Sequence, residues 1–427
     1  MRVALFIILP YPSHYHASYG LAREYQRRGY RIVFTGRAQH RDSVESQGYE
    51  FRCLTYTIGY QIGTLKGFAT SLLISLLNRK DVAKRYREWY GSIMEVRQLC
   101  AHYRPERIFI DAHLGHYYLY LFKYRASVTM ISTKLLTRRS PGLPPLNSFH
   151  VPQDTVWSRV FSEWLWMKYV GRVMLRDVVR RVAFLGRDER YFQRRLCRKL
   201  GLRWNAVFER QNAFFLGLKN VPTIVLGDER LEFARKKRFP QVTYQHWPIQ
   251  RNEDTYWSDQ YRTVREKIQI LKSQAGYQVI YCSFGTLSGL NRKKVLDFLP
   301  KLIAAVREES VILMIATGGL RLDLEISNGR VFLLPQVPQL DMLSLSDLMI
   351  AHGGHNSIKE CLQAEVPMLV YPLNLKIDQP GNAVRVYRAG YGMFGKMGKD
   401  SSTEIRRKIK CCLRMKENRR LTTKNAI

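Results

Sequence analysis

The chain has 427 residues, 46% of them hydrophobic, with 69 Lys and Arg against 35 Asp and Glu, a formal charge of +34. Its length exceeds one ordinary domain and its apolar content can fill two cores, which excludes a disordered or fibrous protein. Seven cysteines at irregular spacing exclude a disulfide scaffold and fit a reducing, cytoplasmic setting.

Arg2 and the seven apolar residues Val3 to Leu9 have the outline of a secretory leader, but Pro10, Pro12 and His14 follow at once and there is no small-residue cleavage site. A buried first strand is expected instead. Leu21, Ala22, Tyr25 and the stop Arg27-Arg28-Gly29 predict a helix, and Arg31 to Phe34 a second strand, so the chain opens as a βαβ unit. It lacks G-x-G-x-x-G, and no nicotinamide cofactor is expected. The near-apolar stretch from Gly67 to Leu77 has 11 residues, too few for the ~20 that span a bilayer. After Arg104-Pro105, the apolar run Ile108-Phe109-Ile110 ends on Asp111.

From Thr155 to Asn205 there are 13 Lys and Arg against 4 Asp and Glu, together with Trp157, Trp164, Trp166 and Trp204. Val160, Phe161, Trp164, Met167, Lys168 and Gly171 recur at helical spacing. A basic, aromatic-rich amphipathic helix reads as a membrane-surface element; the competing reading packs its aromatics into the core. The charge is concentrated early, with 42 Lys and Arg against 18 Asp and Glu in residues 1–244 and 27 against 17 in 245–427.

Composition turns polar from Gln245 to Ser273, and a fresh apolar strand begins at Val279. This predicts an N-terminal domain over 1–244 and a C-terminal domain over 245–427, joined by a linker at about 245–275. The strand Val279 to Cys282 runs into the turn Ser283-Phe284-Gly285-Thr286. Further on, Leu348 to Ala351 is a short apolar run ending at Gly353-Gly354, which reads as strand, tight turn and helix start. Free N–H groups and the positive end of the helix dipole face whatever sits there, and His352, Asn356 and Ser357 can add hydrogen bonds to a phosphate. Glu360 lies one turn beyond Asn356 and can accept two ribose hydroxyls. After the strand Val366 to Tyr371, Pro372 opens a loop carrying Asp378 and Gln379, a carboxylate and amide suited to sugar hydroxyls.

The segment Val337-Pro338-Gln339, the box His352-x-Gly354-x-Asn356-Ser357-x-x-x-Glu360, then Val366-Pro367 and Asp378-Gln379, resembles the donor-binding signature of the UDP-glycosyltransferase superfamily, in its bacterial macrolide- and carotenoid-glycosyltransferase-like branch. The resemblance implies an α/β protein of two Rossmann-like βαβ domains facing a central cleft, the GT-B architecture. It implies that Ser283, Gly285, Thr286, Gln339, His352, Gly354, Asn356, Ser357, Glu360, Asp378 and Gln379 bind the donor. The family stacks its base on a Trp where this chain has Gln336, so a thymidine-linked donor stands beside a UDP-linked, UDP-glucose-type one. The register of the family's Pro-x-x-Gly-His turn puts the general base on His14, with Ser13 in the Gly position, His16 as competitor and Asp111 as the acid that orients it.

The implied reaction is inverting transfer of a hexose from a nucleoside-diphosphate sugar to a hydroxyl of a lipophilic small molecule or lipid. It uses no metal and no cofactor and is expected in the cytoplasm. The resemblance does not account for the charge: if the basic helix from Thr155 onward meets lipid, a peripheral contact with an anionic membrane surface at its inner face is expected, and with it the lipophilic acceptor. Asp323-Leu324-Glu325 is taken as surface charge. Rival readings are a basic nucleic-acid-binding protein, a nucleotide-sugar epimerase of the same architecture and a catalytically inert donor-binding protein. No zinc spacing, RNP-like motif or basic tail supports the first. Ser401-x-x-Glu404 predicts the capped start of a last helix reaching about Met415.

Overall fold

The computed structural model describes residues 1–55, 79–234, 239–248, 257–285, 291–320 and 329–424. Its chain divides into two α/β units. The first comprises Met1–Pro145, Pro152–Gly227 and Arg235–Trp247; the second, Leu146–Val151, Asp228–Ala234 and Pro248–Ile427.

In the first unit, strands β1 (Arg2–Ile7), β2 (Tyr30–Gly36), β3 (Glu50–Cys53), β4 (Arg107–Asp111), β5 (Val128–Ser132), β8 (Thr223–Val225) and β9 (Val242–Tyr244) form a parallel sheet in the order β3-β2-β1-β4-β5-β8-β9. Strands β6 (Phe208–Glu209) and β7 (Gly217–Leu218) pair separately. A parallel strand covered on both faces needs an unbroken apolar run, and Ala4, Leu5, Phe6 and Ile7 are all fully buried. Alternation then splits them between two cores. Leu5 and Ile7 meet Trp89, Ile93 and Val96 of the helix Arg79–Tyr103, while Ala4 and Phe6 meet Tyr15, Tyr19 and Leu21 of the helix Pro12–Arg27.

The second unit has strands β10 (Gln278–Ser283), β11 (Val311–Ala316), β12 (Val331–Leu334), β13 (Leu348–Ala351), β14 (Met368–Val370) and β15 (Gly392–Phe394), parallel in the order β12-β11-β10-β13-β14-β15. The last helix, Ser402–Lys424, runs past the expected Met415 and packs Ile405, Ile409 and Cys412 into this core. Ser401 Oγ accepts the Glu404 N–H at 3.3 Å, the cap its sequence announced.

Two expectations about boundaries are corrected. Residues 259–275 are no linker: Asp259–Ala275 is a helix of the second unit, with Tyr261 and Ile268 buried and the Tyr261 hydroxyl donating to Asp341 at 2.6 Å. Leu146–Val151 and Asp228–Ala234, expected in the N-terminal domain, also belong to the second unit. There Leu146 accepts the Gly381 N–H at 2.7 Å, and Glu232 pairs with Arg385.

Candidate active site

In each sheet the strand order reverses once, between β1 and β4 and between β10 and β13. Open α/β sheets bind ligands outside the carboxyl ends of strands at such a switch point, because the connections there part to opposite faces. The chemistry-bearing residues sit at these two places.

In the first unit, β1 ends at Ile7 and the chain turns into a helix whose first turn holds His14, while β4, hydrogen-bonded alongside, ends on Asp111. His14 Nδ1 lies 2.6 Å from Asp111 Oδ2. The carboxylate is fully buried, which costs free energy unless it is paired on both oxygens. Oδ1 supplies the second pairing, accepting the His113 backbone N–H at 2.9 Å and lying 3.0 Å from His113 Nδ1. Asp111 is thus at once the cap of the turn Ala112–Leu114 and the partner of His14. Burial works to raise its pKa, but the neighbouring His14 charge and the histidine hydrogen bonds outweigh that and hold it far below the usual carboxylate range. With Nδ1 turned to the carboxylate, His14 presents Nε2 as its free acceptor. His16 is exposed and sets its ring 5.7 Å from Tyr19. His14, Asp111 and His113 are also the one group found among the described residues whose possible metal-ligand atoms lie within 4.8 Å of one another, although both Nδ1 atoms already face the carboxylate.

In the second unit, Ser283 at the end of β10 pairs in register with Ala351 at the end of β13. Both strands run into glycine turns, Gly285 at φ +60° and Gly353 at φ +85°, left-handed conformations that a side chain would strain. The His352 ring packs against Gly285 and Gly354: a Cβ at Gly285 would come 3.0 Å from its Cε1 and one at Gly354 2.7 Å from its Nε2. Burial pushes this imidazole down to about 4, against the pull of Asp378. It is therefore neutral at pH 7, a hydrogen-bonding group rather than a cation.

Gly354 then caps the helix His355–Gln363. Gln339 Nε2 donates to Ser357 Oγ at 3.1 Å and to Glu360 Oε2, so three of the expected donor residues form one cluster. Burial raises the Glu360 pKa, outweighing the Gln339 bond and the Lys359 charge. Beyond β14, Gln379 Oε1 accepts the Leu373 and Asn374 N–H groups at 2.9 and 2.8 Å, which leaves its Nε2 for other work. Gln336 is exposed, and Thr286 and Asp323 to Glu325 lie outside the described residues.

Sequence reasoning missed three groups here. Asn382, fully buried, donates from Nδ2 to the Gly353 carbonyl at 3.0 Å and to Asp378 Oδ2 at 3.1 Å, tying the glycine turn to the acidic loop. Its position one helical turn after Asp378 was the available signal. Lys359 is buried beside Glu360, and burial brings its amine down to about 8. His113 shares Asp111 and could have been suspected from its two-residue spacing.

Residues 338–427 match the model of the glycosyltransferase family 28 C-terminal domain. Across 98% of the chain the structure resembles the crystal structure of the glycotransferase of kitacinnamycin, covering 93% of that chain at a TM-score of 0.63 and 17% identity. The fold is GT-B. A second GT-B neighbour, the spinosyn rhamnosyltransferase SpnG complexed with thymidine diphosphate, covers 97% of this chain and 92% of its own at a TM-score of 0.57 and 17% identity. In sequence, 119 residues are 36% identical to an uncharacterized UDP-glucosyltransferase, YdhE, of Bacillus subtilis (strain 168), 27% of this chain and 28% of that one. The match thus spans less than a third of that relative. Among the described residues no helix is long and apolar enough to cross a membrane.

The His352 environment carries a pH signature. Its folded value near 4 lies below the ~6.5 of an unfolded histidine, so between those values the unfolded chain holds the extra proton and stability falls as pH drops. Urea unfolding at pH 7.5 and 4.5 should show His352→Asn less sensitive to this change than wild type, by an amount on the order of 2–3 kcal/mol.

Proposed function

We propose that this protein is an inverting glycosyltransferase that moves a hexose from a nucleoside-diphosphate sugar to a hydroxyl of a lipophilic small molecule or lipid. The observation that carries this reading is the cluster in which Gln339, from the helix Gln339–Leu345, joins Ser357 and Glu360 of the glycine-capped helix, within the stretch matched by the family 28 model. The amino end of His355–Gln363, with Asn356 and Ser357, takes the diphosphate, and Glu360 accepts the ribose hydroxyls. Asp378 and the free Nε2 of Gln379 address the sugar. His14 Nε2 removes the proton from the acceptor hydroxyl as that oxygen attacks the anomeric carbon, while Asp111 keeps the imidazole in one tautomer and stabilises it once charged. The departing diphosphate leaves its charge on the helix terminus and on the turn after β10.

A pocket of the first unit lined by Ala112, Met130, Leu136, Phe215 and Leu216, with Arg138 and Glu209 also in its wall, offers an apolar surface for a lipophilic acceptor. Exposed Gln336, where the family has its stacking Trp, and the thymidine diphosphate bound by the neighbour SpnG bring a thymidine-linked donor alongside a uridine-linked one. A thermal-shift panel of nucleoside diphosphates and their sugar conjugates tests the reading, since a ligand that binds only the native state raises its melting temperature. No shift with any of them would end it. Glu360→Gln should raise the donor KM about 10- to 100-fold with kcat little changed, the loss of hydrogen bonds to a charged acceptor worth ~1.5–3 kcal/mol.

A further inference from the structure

The helix Val156–Ala183 turns one face into the protein, burying Ser158, Ser162, Trp166 and Ala183, with Trp166 Nε1 donating to the Leu143 carbonyl at 2.8 Å. On the opposite face, at steps of three and four once exposed Gly171 is counted, Trp157, Phe161, Trp164, Met167, Leu175 and Val178 are 44–82% exposed. Every exposed residue from Val156 through Val182 is apolar, glycine, lysine or arginine. The two acids of this helix are engaged elsewhere: Glu163 accepts from Arg139 and from the Gly142 N–H, and Asp177 pairs with Arg190 at 2.5 Å. A solvated helix face carries polar and acidic residues, whereas an apolar strip of this length marks a surface that something covers.

We propose that this face docks on an anionic lipid bilayer, lying in the headgroup plane with its aromatic strip toward the acyl chains and Lys168, Arg172, Arg176 and Arg181 on lipid phosphates. Trp and Phe at one face with cations flanking them is the composition of an interfacial helix. The cations at 168, 172 and 176 interrupt the strip, so the helix lies on a membrane rather than crossing it. Charge decides between occupants. A second copy would bring this cationic face against itself, and like charges across an interface are costly. A nucleic acid would neutralise the arginines but leave Met167, Leu175 and Val178 in water. An anionic bilayer satisfies both at once. The inference stands on this helix alone and is independent of the transferase chemistry.

Flotation of the whole protein with vesicles of phosphatidylcholine containing about 30% phosphatidylglycerol tests it. Binding is expected there, at least tenfold weaker on phosphatidylcholine alone, and weaker in 1 M than in 0.1 M salt, where screening shortens from ~10 Å to ~3 Å. Arg172→Ser with Arg176→Ser should weaken binding about 25-fold, at roughly fivefold per cation, and Phe161→Ser with Trp164→Ser should abolish it, with melting curves unchanged because these side chains are exposed. Absence of the wild type from anionic vesicles, or equal flotation of the variants, overturns the proposal. So does a wild-type dimer in lipid-free solution that Phe161→Ser with Trp164→Ser dissociates, since the strip would then be a protein interface. Donor-induced thermal shifts in the same variants should be unaltered, which separates failure of membrane docking from failure of the proposed reaction.

Discussion

His14→Ala should lower kcat by about 10²–10⁴-fold, the usual worth of a positioned general base, while donor affinity stays within about twofold. The size of the loss follows from the pairing with Asp111. A buried carboxylate 2.6 Å from Nδ1 fixes which nitrogen is free and lowers the cost of the imidazolium that forms during proton transfer. Donor affinity is spared because the proposed donor residues belong to the second unit. Asp111→Asn should lose a comparable factor, because an amide in that place can hold the imidazole in the wrong tautomer. His16→Ala should change kcat less than twofold, since that ring is exposed against Tyr19. Steady-state rates with a phenolic acceptor, together with donor titration, check all three. Full transfer by His14→Ala would remove the base from the mechanism.

What could be read from the sequence depended on range. The strand Leu348–Ala351 and the helix after Gly354 were legible because four consecutive apolar residues, a glycine pair and a polar helix start follow one another with no tertiary information needed. The bond between His14 and Asp111 spans 97 residues, and only family resemblance aligned those two positions before the sheet order did. The part played by Gln379 shows the opposite limit. Its residue type suggested a sugar contact, yet its carbonyl oxygen holds the backbone of Leu373 and Asn374, a use that no spacing rule reports. Helical periodicity likewise revealed that Val156–Ala183 has faces without saying which one meets solvent: Trp166 is buried and Trp157 is not. Both kinds of position carry the same residue, so only packing separates them.

The segments that defied the domain boundary make the other large prediction. Glu232 reaches Arg385 of the helix Gln379–Arg388 at 3.2 Å, and both side chains are almost wholly buried, 4% and 5% exposed. Arg385 also lies 4.4 Å over the Phe233 ring and donates to the Gly381 carbonyl at 3.2 Å. Glu232→Ala leaves this guanidinium buried without its carboxylate, a loss of about 3–5 kcal/mol. Removing both charges as Glu232→Leu with Arg385→Met should restore much of that, because the desolvation of two ions disappears with them. The helix begins at Gln379, next to Asp378, and carries Asn382, which joins the acidic loop to Gly353. Glu232→Ala should therefore speed amide hydrogen exchange through Gln379–Arg388 and weaken donor binding in the same sample, although Glu232 is 146 residues before Asp378 in the chain. Exchange at wild-type rates there would mean that Asp228–Ala234 only covers this helix and does not hold it.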